Sequence, residues 1–173
     1  VYTAPYRDRY AIEVFLADGT LDRTIEREFQ RPPRTKEDKQ RITDGHVVIA
    51  DGVRQEIQVD LEDYDPCIDE LHIAADGALW VVHARSRRDL PVGTLMRADV
   101  FSPDGCLREQ VVVLGDGDPL RDRLVHLSDG RAILLQNPEG ALRTALIGGH
   151  LDEDDLQGDI AMEVICFDLV RGK

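Results

Sequence analysis

The chain has 173 residues and a mass of 19.4 kDa, enough for one domain with a real core. Its 42% hydrophobic and 32% charged content is that of a globular chain, not a disordered one. Asp and Glu number 34 against 21 Lys and Arg; the formal charge of −13 repels phosphate backbones and argues against a nucleic-acid partner.

No apolar run reaches the roughly 18 residues of a membrane span, and nothing at the start reads as a signal peptide. The first residue is Val, not Met, so the expectation is a processed or incompletely represented chain, and a missing signal says little.

Along the chain, "IEVFLADGTLDRTIE" predicts a hairpin within residues 10–29. Asp-Gly between β-formers is a strong hairpin signal, and the expectation is a tight primed turn with positive φ at both central residues. An insertion follows over 30–66. In it, Thr35 with Asp38 three residues on forms a capping box that predicts a short helix from Lys36 to about Ile42. After that helix, "HVVIADGVRQEIQV" predicts an accessory hairpin over Asp51-Gly52. Residues 68–115 carry two further hairpins, "IDELHIAADGALWVV" and "ADVFSPDGCLREQVV". Residues 121–173 carry "RDRLVHLSDGRAILL", a long connection over 137–161, and the single strand "EVICFDLV".

These hairpins are of two kinds. Asp69, Leu71 and Asp76-Gly77 align with Asp122, Leu124 and Asp129-Gly130. Val14-Phe15, Asp18-Gly19 and Leu21 align with Val100-Phe101, Asp104-Gly105 and Leu107, and Phe167 matches Phe101 in a half copy. The kinds alternate, and a first followed by a second makes a four-stranded antiparallel unit. Such units in series are the pattern of propeller blades, at ~40–50 residues each. The expected fold is therefore an all-β propeller, with 68–115 one complete blade, 10–29 the outer half of the blade before it and 121–173 most of the blade after it.

The pair "IDELHIAADGALWVV" and "RADVFSPDGCLREQVVV" resembles the last full blade of bacterial six-bladed, NHL-like β-propeller proteins. The resemblance extends over about Tyr10 to Val170 and implies a six-bladed scaffold, export to the periplasm or beyond the cell, and no particular chemistry. Six blades need on the order of 240–300 residues, and about two and a half are here. The chain is thus expected to be completed by the remaining blades, by a homodimer closing the ring, or by another protein partner.

On such a frame the Asp-Gly turns share one end, and the long connections 30–66, 84–96, 115–120 and 137–161 share the other, where binding is expected. Arg85, Arg87 and Arg88 lie in one of these connections. They suit carboxylate or phosphate recognition, or else pairing with the acidic stretch of the 150s. In that stretch Asp152, Asp154 and Glu163 fall at positions 1, 3 and 12 of a calcium loop, but Leu156 and Gln157 break the pattern. Asp69-Glu70 and Asp122-Arg123 begin equivalent innermost strands, at the mouth of the expected channel. There they either pair across blades or, as the distant resemblance to gluconolactonase-like six-bladed lactonases implies, approach a divalent ion. That family's metal set needs an Asn and acids from other blades, and the sole Asn here is Asn137.

No G-x-S-x-G elbow or phosphate-binding loop is present, and Ser86, Ser102 and Ser128 have no patterned His/Asp companion. Cys67, Cys106 and Cys166 lack metal-ligand spacing and read as small buried hydrophobes, with one disulfide open in an oxidising compartment. His72 and His126 are expected to pack between blades, and Trp80, flanked by apolar residues, to lie in the core. The expected function is a non-enzymatic binding or scaffolding module without a cofactor. The alternatives are a metal-dependent hydrolase with calcium or another divalent ion, and a structural subunit of a larger assembly.

Overall fold

The structure, a computed structural model, describes residues 1–45, 48–50, 53–55, 60–126, 131–147 and 162–170. The first sheet comprises β1 (Tyr2–Thr3), β2 (Tyr10–Phe15) and β3 (Leu21–Arg27). Helix α1 (Lys36–Gly45) and a hairpin of β4 (Val48–Ala50) and β5 (Val53–Gln55) follow. The second sheet is a four-stranded meander of β6 (Ile68–Ile73), β7 (Leu79–His83), β8 (Thr94–Phe101) and β9 (Leu107–Leu114). The third holds β10 (Arg123–His126) and β11 (Arg131–Gln136), then, after helix α2 (Pro138–Ile147), β12 (Glu163–Asp168). Every strand pair is antiparallel, and the chain is all-β with its helices confined to connections.

The hairpins close where the Asp-Gly signals lie, but not by the expected turn. Gly19, Gly77 and Gly105 have φ of 84°, 78° and 90°, whereas the preceding Asp residues keep negative φ. Each loop has three residues: Leu16 N–H bonds Thr20 O while Gly19 N–H bonds Leu16 O, and the same pair of bonds recurs at Ala74/Ala78 and Ser102/Cys106. This is a type I turn closed by a left-handed Gly, which needs positive φ at one position instead of two. The Asp carboxylate accepts the N–H two residues on, as Asp18 does from Thr20 at 2.9 Å and Asp76 from Ala78 at 3.1 Å. Asp51-Gly52 and Asp129-Gly130 lie outside the described residues.

The insertion folds as its sequence suggests. Thr35 Oγ1 accepts the Asp38 N–H at 3.1 Å and Asp38 Oδ2 accepts the Thr35 N–H at 2.9 Å, a reciprocal cap for α1. The helix runs to Gly45, past the expected Ile42. The long connection over 137–161 begins with α2, whose start was written in the sequence: Pro138 opens it and Glu139 stands in its first turn.

Two apolar clusters set the layering. Tyr10, Ile12, Val14 and Ile25 of the first sheet pack against Ile68, Leu79, Val81 and Phe101 of the second. Val82, Met96, Ala98 and Val113 of the second pack against Leu124, Ala132 and Leu134 of the third. Successive residues of a strand face opposite sides, so Leu79 and Val81 serve one layer while Trp80 and Val82 serve the other. A strand covered on both faces needs an unbroken apolar run, which is why β7 reads "LWVVH".

Of the three cysteines, which are all free, Cys67 is buried as expected. Cys106 and Cys166 are exposed: Cys106 follows a hairpin turn, and Cys166 stands on the face of β12 turned away from the second sheet.

Candidate functional site

The connection from β7 to β8 presents the three expected arginines, and the structure separates them. Arg87 Nη2 donates to Glu70 Oε1 at 3.0 Å. Arg88 reaches into the insertion, its Nη1 2.7 Å from Asp38 Oδ2 and its Nη2 2.6 Å from Asp65 Oδ2. Arg34 Nε closes the network on Asp65 Oδ1 at 2.7 Å, and Arg31 Nε donates to the Asp65 carbonyl at 2.7 Å. Arg87 and Arg88 thus have partners in β6 and the insertion; the 150s stretch, with Asp152 and Asp154, lies outside the described residues. Glu163 opens β12, paired with Gln136.

Of the other residues at the starts of β6 and β10, Glu70, Asp122 and Arg123 have partners. Glu70 Oε2 is 2.9 Å from His72 Nε2, and Glu70 Oε1 is 3.8 Å from Arg123 Nε, so the cross-sheet ion pair uses Glu70, not Asp69 or Asp122. The His72 hydrogen bond, aided by Arg87 and Arg123, holds the Glu70 carboxyl down to a pKa of about 2. Asp122 accepts the backbone N–H groups of Asp118 and Asn137, at 2.8 and 3.0 Å, and so shapes the loop between the second and third sheets. Asp69 keeps contact with water, yet desolvation by its neighbours, then the charge of Asp65, push it up to about 6. Among the described residues no three His, Cys, Asp or Glu side chains are gathered to hold a metal ion.

Arg85 alone of the three is left over, and it leads to a site that the sequence did not announce. Beneath it lies Asp99, fully buried, with three donors. Tyr10 Oη donates to its Oδ2 at 2.8 Å, Gln110 Nε2 to its Oδ1 at 2.7 Å, and Arg27 Nη1 also donates to Oδ2. Burial, then the Asp99 charge, raise the Tyr10 hydroxyl well above its ordinary pKa, so it keeps the proton that it donates to Asp99. His83 is buried beside this group. Its Nδ1 accepts the Arg85 N–H at 3.2 Å, which leaves the proton on Nε2, 3.9 Å from Asp99 Oδ2. Desolvation, with help from Arg27, Arg85 and Arg97, lowers its pKa and favours the neutral ring.

Above this buried group opens a cleft of about 690 Å³ between the end of β3 and the β8–β9 hairpin, lined in part by Arg27, Phe29, His83, Arg85, Arg97 and Gln110. Arg97 and Asp99 are two residues apart on β8 and so project from one face, toward the first sheet. Phe29 packs on the His83 ring at 5.0 Å between centroids, and Ser86 Oγ accepts the His83 N–H at 2.8 Å. Ser86, His83 and Asp99 therefore do not form a nucleophile relay: the hydroxyl is turned to the backbone, and the imidazole to Arg85. What the cleft offers is cationic donors on a rigid floor.

Arg27, His83, Arg97 and Asp99 were missed from sequence. The available signal was Arg97 and Asp99 at i and i+2 in the otherwise apolar "TLMRADVF", a polar pair on one face of a buried strand. Comparison with known protein families, with curated proteins and with solved structures finds no match to this chain.

Proposed function

We propose that the chain is a non-enzymatic recognition module of NHL-like β-propeller type, whose three stacked sheets are successive blades and whose long-connection end takes the ligand. Recurring register supports the blades. Leu71 pairs with Val81 as Leu124 pairs with Leu134, and Leu79 pairs with Phe101 as Ala132 pairs with Phe167. Val14 pairs with Arg23 and Phe15 with Leu21, across the same irregularity that separates Val100–Glu109 from Phe101–Leu107. A ring would continue past the third sheet, whose outward face carries Val125, Ile133, Leu135 and the exposed Val164 and Cys166.

The observation that carries the recognition reading is the cleft. It is an open, preformed concavity at the long-connection end, built on a fully hydrogen-bonded floor, as small-molecule sites usually are. The hydrolase reading has less support, because Glu70 and Asp122 are spent on Arg87, His72 and backbone donors.

Amide shift mapping on the ¹⁵N-labelled chain tests this, using a panel of neutral, cationic and anionic small molecules. The expected result is a set of shifts confined to Phe29, Gln30, Arg85 and Gln110. Shifts at the Asp-Gly turn end, or none for any member of the panel, would overturn the reading.

A further inference from the structure

We propose that the cleft beside Asp99 binds a small organic oxyanion, gripped through its carboxylate or phosphate by Arg85 and Arg97. This deepens the recognition reading and rests on it.

In a chain of formal charge −13, three guanidinium groups line one cleft. Asp99 neutralises Arg27. Arg85 and Arg97 are in no ion pair among the described residues, although acidic side chains outnumber basic ones 34 to 21. Glu28 is the one other acidic residue in the lining, and it is exposed at the end of β3. Among the described residues the cleft therefore holds two cations without an ion-pair partner against one solvated carboxylate.

The backbones that carry both arginines are fixed in advance. Arg85 leaves a backbone fixed on both sides: its own N–H is held by His83 Nδ1, and Ser86 N–H bonds the His83 carbonyl at 2.8 Å. Arg97 leaves β8 where its N–H bonds the Ser86 carbonyl at 2.8 Å, so the two arginines are tied to one another through Ser86. Two planar forks anchored to one frame suit a trigonal carboxylate or a tetrahedral phosphate, which accept paired N–H donors.

The floor then sets orientation. Asp99 takes the Tyr10, Gln110 and Arg27 donors that would otherwise serve an anion at the bottom of the cleft. The anionic head belongs at the arginine rim. The body of the ligand lies against Phe29 and Val112, which favours a compact molecule with some apolar surface over a polyanion.

Isothermal titration of the full chain with benzoate and, separately, with phenyl phosphate tests the assignment, at ionic strength matched with chloride. The expected result is saturable binding of at least one probe, weakened tenfold or more by R85Q and by R97Q and unchanged by R7Q. Arg85 is exposed, so R85Q retains the native melting temperature and isolates the contact from folding. The preferred probe tells carboxylate from phosphate. Binding of neither anion, or equal binding by R85Q, would overturn the proposal. If neutral compounds shift the Phe29 and Gln30 amides while both anions fail, the recognition reading stands and the oxyanion assignment falls.

Discussion

The Tyr10 hydroxyl and the Asp99 carboxylate, 89 residues apart in sequence, are joined by a buried hydrogen bond of 2.8 Å. With Arg27 as a second donor from the first sheet, this bond clasps the first two sheets beside their apolar contact. Removing the acceptor strands the donors, so Asp99→Ala is expected to cost about 3–5 kcal/mol. Tyr10→Phe leaves Asp99 two donors and is expected to cost about 1–2 kcal/mol. Urea denaturation of both variants checks the order; equal losses would mean that the carboxylate is not the hub.

Arg88 performs a comparable task for the insertion. It bridges Asp38, in the cap of α1, and Asp65, just before β6, with only 20% of its side chain exposed. Arg88→Ala leaves both carboxylates short of a donor, and a loss of about 2 kcal/mol is expected, discounted for partial exposure. Amide exchange in α1 should quicken more than exchange in β7. Uniform quickening would show that the insertion is held by other contacts.

Asp69 and Glu70 are neighbours that titrate in opposite senses. The Glu70 carboxyl falls from 4.5 to about 2, so its stabilisation is complete above 4.5 and is lost as pH falls through about 2. The Asp69 carboxyl rises from 3.8 to about 6, so its contribution is complete below 3.8 and is lost as pH rises through about 6. Asp69→Asn is therefore expected to raise the melting temperature at pH 8 and leave it unchanged at pH 3. Glu70→Gln should lower it at pH 7 and lose that effect near pH 2. Melting curves across this range decide the matter, and the same pH trend in both variants would refute the assignment.

Two turn glycines distinguish backbone strain from packing. Gly19 has φ +84° and open space where a Cβ would lie, whereas Gly105, at φ +90°, would place a Cβ 3.1 Å from Ile25 Cγ1. Gly19→Ala is expected to cost about 1–2 kcal/mol from the left-handed backbone alone. Gly105→Ala should cost more, because the turn of the second sheet rests on β3 of the first. Equal costs by chemical denaturation would mean that this contact yields freely.

Local signals in the sequence carried much of the fold. Asp-Gly pairs marked the hairpins, Thr35 and Asp38 marked the helix cap, and apolar runs such as "LWVVH" marked a strand buried on both sides. The turn type was misread because Asp-Gly serves two loop lengths, and only the φ of the Asp tells them apart. The cleft was less legible for a different reason. The partners of Asp99 come from β2, β3 and β9, and no spacing within a single segment places them together. The loop arginines were visible as a group, but which of them stays unpaired depends on Glu70, Asp38 and Asp65, distant in sequence and brought near by the stacking.

The floor of the cleft exists only where the first and second sheets are stacked and clasped through Asp99. A double-mutant cycle between Arg27→Met and Asp99→Asn measures that clasp directly in urea denaturation. A coupling of about 1–3 kcal/mol is predicted. Additive effects, with no coupling beyond error, would contradict it.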